Sequence, residues 1–290
     1  MASIQGKKMN PTRFHKSQLK FYAILIPMAV VMGLPIIYIF SQALKPLDEL
    51  FIYPPKFFAQ KPSLDNFKKL IESMLGSEVP IYRYFFNSIL STLLTVICTI
   101  FITAFAGYAL SKKDFKAKGL IFEINTAALM FVGAAVKIPK YLVIYYSGLI
   151  DNFWVHIIPG LAMPVGLFLV KQFMDQIPDA LIEAARIDGA KDFQIFMKVI
   201  MPLSKSSLAT VVILTFQAAW NAIEASELYL NADNMKTFAY YMTTLTTTGN
   251  DVVGIGQAAA ATLIMFIPNL VIFIFMQKNV MSTMAHSGIK

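Results

Sequence analysis

Charge is scarce in this sequence. Asp, Glu, Lys and Arg make up 14% of its 290 residues, and 57% of the chain is hydrophobic. A soluble domain carries about a quarter charged residues, so an ordinary soluble fold is excluded. Cysteine is nearly absent as well. The one thiol, Cys98, has no intrachain partner, which excludes a disulfide framework. It sits in an apolar run, where a lone thiol packs as a small side chain. The three histidines, His15, His156 and His286, show no metal-ligand spacing, so no metal site is expected. No catalytic constellation stands out either. The pattern G-x-x-x-x-G-K-[ST] does not occur, since Gly189-Ala190-Lys191 is followed by Asp192. The chain is therefore not expected to hold ATP on a Walker A loop. Internal repeats and low-complexity segments are missing too.

What the sequence does contain is uncharged length. Phe21–Leu44, Tyr84–Ser111 and Val252–Gln277 carry no charge, and each exceeds the roughly 20 residues with which a helix crosses a hydrocarbon core. Shorter candidates lie at Gly119–Val136, Asn152–Val170 and Ser206–Ile223. The expectation is an all-α membrane protein with six transmembrane helices. Tyr141–Ile150, between Lys140 and Asp151, is too short to span and reads as an interfacial or re-entrant piece. Ser41-Gln42-Ala43 has the look of a signal-peptide cleavage site, but the run before it is longer than a signal core of about 7–15 residues, so it reads as a retained anchor.

Basic residues set the expected orientation. The N-terminal tail holds Lys7, Lys8, Arg13, Lys16 and Lys20 without an acid, and the short loop SKKDFKAK (111–118) holds four lysines against Asp114. Both are placed in the cytoplasm by the positive-inside rule, and six spans bring the C-terminus there too. The expected division is a basic cytoplasmic tail (1–20), a first span (21–44), an extracytoplasmic segment (45–81), a five-helix core (82–277) containing a cytoplasmic loop (175–203), and a cytoplasmic tail (278–290). Most tyrosines fall at the outer side. An aromatic belt at the headgroups accounts for most of them; ring faces and phenol hydroxyls would also suit sugars.

One polar stretch interrupts the apolar pattern: EAARIDGAKDFQIFMKVIMPL, residues 183–203. Pro178 suits a helix first turn, and Asp179 and Glu183 lie toward its positive end. Leu181, Ala184 and Ala185 make a face with small side chains. Gly189 suits a helix terminator. Phe193, Phe196, Met197 and Ile200 then follow helical spacing, and Pro202 closes the segment. The reading is helix, glycine turn, helix. An amphipathic connector lying on the membrane surface is one account of it; a handle gripped by another protein is the other.

Glu183-Ala184-Ala185, Asp188-Gly189-Ala190, Phe196 and Pro202-Leu203 resemble the EAA loop of permease subunits in binding-protein-dependent ABC importers. KPSLDNF, FFNSILSTLLTVICTIFITAFAGYALSKKDF, GLIDNFW, KQFMDQIPDALIEAARIDGA and TFQAAWN follow the order and spacing of the maltose-type, carbohydrate-uptake branch of that family. The resemblance covers roughly residues 60 to 290. It implies the type I importer permease fold, with the loop as a coupling helix docked on a cytoplasmic ATPase. Glu183, Ala184, Ala185, Asp188, Gly189, Ala190, Phe196 and Pro202 would form that dock, and Gly288 and Lys290 would touch the ATPase from the C-terminal tail. It further implies a second permease subunit, an ATPase dimer and an extracytoplasmic sugar-binding protein as partners, within lipid and without nucleic acid. ATP and Mg would be bound by the ATPase, leaving this chain without a cofactor or enzymatic activity of its own. Its place would be the plasma membrane of a bacterium.

Gln217 and Asn221 share a helical face near the outer end of the fifth span, with Trp220 between them. They suit either a polar cargo path or hydrogen bonds between helices. Asn87 is a weaker candidate of the same kind. Tyr240, Tyr241 and Met242, in the last outer segment, are the expected contact for a binding protein. No acid or base is seen at mid-depth in a span, which argues for a neutral cargo over ion coupling. A secondary transporter or channel working without ATP is the rival reading, and a membrane scaffold whose handle tethers a soluble partner is a third.

Overall fold

The computed structural model describes residues 19–75, 79–248 and 254–287. Among the described residues every regular element is a helix. α1 (Leu19–Leu44) is followed by α2 (Leu47–Leu50) and the amphipathic α3 (Asp65–Leu75), both in the segment expected outside. α4 (Ile81–Lys112) is the long central helix, and α5 (Lys118–Ala128) and α6 (Lys137–Tyr146) come next. A 3₁₀ turn at Phe153–His156 leads into α7 (Ile158–Leu161) and α8 (Pro164–Asp175). The polar stretch forms α9 (Asp179–Ile187), α10 (Asp192–Ile195), a π turn (Phe196–Ile200) and α11 (Met201–Leu203). α12 (Lys205–Trp220), α13 (Glu224–Leu228), a 3₁₀ turn (Asp233–Met235), α14 (Phe238–Thr248) and α15 (Gly254–Ser287) complete the chain.

Five stretches are long and apolar enough to cross a membrane: Leu19–Leu44, Ile81–Lys112, Phe153–Asp175, Lys205–Leu228 and Ile255–Gln277. The sixth expected span, Gly119–Val136, is not one helix. α5 stops at Ala128, tight turns carry the chain to Val136, and α6 begins at Lys137. Pro139 has no N–H for the carbonyl of Ala135, and Gly133 adds backbone freedom just before it, so a continuous helix has no support there. Tyr141–Ile150, expected as a separate short piece, starts inside α6. The segment 225–251, expected outside, holds most of α13 and all of α14.

α4 is the hub, packing on α7, α8, α12 and α14, while α15 packs on α1, α3, α12 and α14. α4 turns a seam of small polar residues inward: Asn87, Ser88, Ser91, Thr92, Thr95, Thr99 and Thr103 are all buried. Lipid is as apolar as leucine, so close backbone approach and van der Waals contact have to hold such helices together. The contact is tightest at Gly107, where a Cβ would lie 2.8 Å from Val170 Cγ1. α1 is the opposite case: its apolar side chains are almost all exposed, as suits a helix facing lipid.

Candidate functional site

The polar stretch is closed by its own backbone. Gly189 takes φ +82°. There its N–H bonds the carbonyl of Arg186 at 2.9 Å, and Ala190 N–H bonds that of Ala185 at 2.9 Å. This Schellman pattern ends α9 and reverses the chain. Pro202, with no N–H, disturbs the ladder further on, and the π turn absorbs the change: Met201 N–H reaches back to Phe196.

Three consecutive residues at the end of α4 hold this handle in place. Ser111 Oγ donates to Asp175 at 2.8 Å. The Lys112 ammonium lies 2.8 Å from Asp179 at the start of α9, and it also donates to the carbonyl of Ile177. Lys113 lies 2.6 Å from Asp192 at the start of α10, which Arg186 also approaches at 3.6 Å. The hydrogen bond and charge of each lysine hold the carboxyls of Asp179 and Asp192 below their ordinary value. Each acid also sits at a helix N-terminus, where negative charge is favoured.

Beneath the handle lies a core of Ala104, Tyr108, Val170, Met174, Ile182, Ile195, Phe196 and Ile200. Outward it shows Leu181, Ala184, Asp188 and Ile187, the last 86% exposed. An apolar side chain so exposed at the tip of a polar segment is what a protein groove would cover.

At the far end of α4 a second set of bonds holds the loop between α13 and α14. Asn87 Nδ2 donates to the carbonyls of Asn234 and Lys236, each at 2.9 Å. Ser88 Oγ accepts from Phe238 N–H at 2.8 Å, and Arg83 Nε donates to Asn234 at 3.2 Å. Asp151, at φ +54°, accepts from the N–H groups of Asn231 and Ala232. Tyr229, beside it, is buried and donates to Glu224. Burial first, then that acid, push its phenol up to about 12.

Residues 84–281 match the family described as binding-protein-dependent transport system inner membrane component. The chain belongs to that family. The permease is 31% identical over 213 residues, 72% of its length and 70% of the relative's, to the probable ABC transporter permease protein YurM of Bacillus subtilis (strain 168). It is 27% identical over 289 residues, 95% of its length and 99% of the relative's, to the arabinooligosaccharides transport system permease protein AraQ of the same organism. A chain in the crystal structure of a bacterial ABC transporter involved in the import of the acidic polysaccharide alginate superposes with a TM-score of 0.71. At 23% identity, with 93% of this chain and 99% of that one covered, it establishes the shared fold.

The structure sorts the permease's expected site residues. Glu183, Ala184, Asp188, Gly189 and Pro202 are exposed, and Ala185 and Ala190 are half-buried. Phe196 is a correction: it is 1% exposed and stacks on Phe105 with ring centres 4.3 Å apart, so it supports the handle from inside. Gly288 and Lys290 lie outside the described residues. Gln217 and Asn221 remain exposed on one face. Asn269 joins them, donating to Asn221 Oδ1 at 3.2 Å; the sequence reading missed it, although Asn is a signal in so apolar a run. Trp220 and Asn87 are corrections. Trp220 is 4% exposed and donates its indole N–H to Met265, and both Asn87 amide bonds are spent on the loop between α13 and α14. Tyr241 and Met242 are buried too, Tyr241 stacking on Tyr84 at 4.5 Å. Of the expected binding-protein contact only Tyr240 stays half-exposed, with Lys236 Nζ 4.7 Å from its ring centre.

Proposed function

We propose that this permease is one of two different membrane subunits that form the path of an ATP-driven sugar importer, and that its cargo is a neutral oligosaccharide. The observation that carries the reading is the stapled handle: α9 is fastened at its base to α4 and free at its tip. A separate ATPase that grips the tip on binding ATP would move α4 with it. ATP and Mg belong to that ATPase. α4 spans roughly 48 Å at ~1.5 Å per residue over its 32 residues, and its outer end carries the Asn87 clasp. Movement of the handle would reach the outer loop, where a loaded binding protein delivers cargo, through one rigid rod. The family supports the binding-protein partner, and relatives named for arabinooligosaccharide and galactooligosaccharide transport support the cargo class. Gln217, Asn221 and Asn269 give the exposed face of α12 and α15 the polar groups such a path needs. The expected topology places the handle and both termini in the cytoplasm.

The test is uptake by proteoliposomes holding the whole assembly, with labelled arabinotriose, galactotriose and trehalose offered by the cognate binding protein. Accumulation of one of them only with hydrolysable ATP, and its loss in Gly189→Leu, is the expected result. Accumulation or equilibration that ignores ATP would identify a stand-alone carrier or channel instead.

A further inference from the structure

The segment after α1 folds back onto the helix it has just left. Ser41 Oγ, in the last turn of α1, donates to the carbonyl of Phe57 at 2.6 Å and accepts from Ala59 N–H at 3.0 Å. The Phe57 ring lies beside Tyr38, with centres 5.5 Å apart. Lys45 is 1% exposed; its ammonium donates to the carbonyl of Lys56 and lies 5.7 Å from the centre of the Tyr38 ring. Glu49 closes the base of the loop, its two carboxylate oxygens accepting from Gln60 N–H and Lys61 N–H, each at 2.8 Å. Side chains thus satisfy five backbone polar groups between Lys56 and Lys61, and Pro54 and Pro55 have no N–H to satisfy.

What this loop turns outward is apolar. Tyr53 is 92% exposed, Phe58 66%, Phe51 48% and Ile52 40%. In water the backbone would not need so many side-chain partners, and the four large apolar side chains would gain nothing there. α1 sets the level at which they stand. Its uncharged run Phe21–Leu44 holds 24 residues, ~36 Å at ~1.5 Å per residue against a hydrocarbon core of about 30 Å. Tyr38 stands ~9 Å before Leu44 along the helix, at the edge of that core, and it holds Phe57 near the same depth. Lys56 and Lys61 are exposed, and no acid lies between Phe51 and Lys61.

We propose that residues 51–58 form a lipid-binding loop, bedded in the headgroup layer of the leaflet at the C-terminal end of α1. Aromatic side chains favour that layer, and the two ammoniums complement its phosphates. A soluble binding protein is the other surface that could cover the loop. It would approach from water, whereas Ser41 and Tyr38 draw the loop back along a helix that faces lipid. The proposal does not depend on the importer reading.

The test measures depth. In the assembled complex Cys98→Ser removes the native thiol, and Tyr53→Cys and Phe58→Cys each carry a nitroxide attached before reconstitution. The nanodiscs contain phosphatidylethanolamine and phosphatidylglycerol. Val31→Cys, 65% exposed near the middle of α1, is the lipid reference. Asp114→Cys, at a fully exposed side chain, is the water reference. Power saturation reads collisions with oxygen and with a neutral, water-soluble nickel chelate. Both loop labels should meet the chelate about tenfold less often than Asp114→Cys does, the ratio that a partitioning penalty of ~1.4 kcal/mol gives. They should still meet it more often than Val31→Cys does, and neither ATP nor the binding protein should be needed. Chelate collisions at either site as frequent as at Asp114→Cys, or as rare as at Val31→Cys, would overturn the proposal. So would shielding that appears only when loaded binding protein is added, which would give the loop to that protein instead.

Discussion

The ammonium of Lys113 lies 2.6 Å from the carboxylate of Asp192, joining the last turn of the central helix to the first turn of the second handle helix. One residue earlier, Lys112 makes the same join to Asp179 and α9. Neighbours on one helix end thus hold both arms of the helix–turn–helix. The acids are solvent-exposed, so these pairs add little to folding stability. Their geometric effect is larger, because they make the handle and α4 one body.

Reversing the pair tests that body. Lys113→Asp or Asp192→Lys alone should lower ATP-driven uptake several-fold, as population shifts of ~1 kcal/mol do, while ATP hydrolysis by the assembly continues. The two together should restore uptake. Lys112→Met should be more damaging than either, since the Lys112 side chain is only 5% exposed and serves two acceptors. Uptake and hydrolysis measured on the same vesicles decide it.

Acid should leave the handle alone until the carboxylates titrate. Lysine partners depress the Asp179 and Asp192 values below 3.8 in the folded state, so their contribution is complete above that value and fades as pH falls through the lower folded one. Hydrogen exchange across residues 179–195 is therefore expected to stay flat, after correction for intrinsic rates, from about pH 8 to pH 5.

Gly189 is held at φ +82°, where a side-chain-bearing residue costs about 1–2 kcal/mol. Gly189→Leu should loosen the turn and release the ATPase from detergent-extracted complex, with the chain still inserted. Gly189→Asn, which tolerates the left-handed region, should retain most of the binding. Equal loss in both would mean that bulk at the tip matters rather than backbone shape.

Asn87 should behave as a clasp. Asn87→Leu removes the donor to both carbonyls; that of Asn234 keeps Arg83 Nε, while that of Lys236 is left without its side-chain donor, at a cost of about 1 kcal/mol. Faster hydrogen exchange at residues 234–238 and a lower melting midpoint are expected. A fall in uptake with unchanged exchange there would return Asn87 to the cargo path.

Gly107 limits how close α4 and α8 come. Gly107→Ala puts a methyl 2.8 Å from Val170 Cγ1, and overpacking of that kind costs roughly 1–3 kcal/mol. Val170→Ala in the same chain should recover most of the lost thermal stability.

The membrane class, the apolar spans and the glycine-hinged handle could all be read along the chain. Each rests on local pattern: uncharged length, residue spacing, and a glycine with acids ahead of it. The break in the third expected span, between Ala128 and Lys137, was not legible because hydropathy counts apolar residues and overlooks the carbonyl of Ala135, to which Pro139 cannot donate. Side-chain direction was beyond reach for a related reason. Tyr241, Met242, Trp220 and Asn87 have the composition of contact residues, yet the packing of α4 against α12, α14 and α15 turns them inward.

Phe196 shows the same limit within the motif itself. Sequence alone determined that a polar helix–turn–helix interrupts a membrane chain, because chain chemistry at that scale is local. Only the tertiary structure decided that Ser111, Lys112 and Lys113 grip it from 64 to 79 residues away. It alone brought Phe57 and Ala59 back onto Ser41, because such neighbours exist only once separate segments have packed.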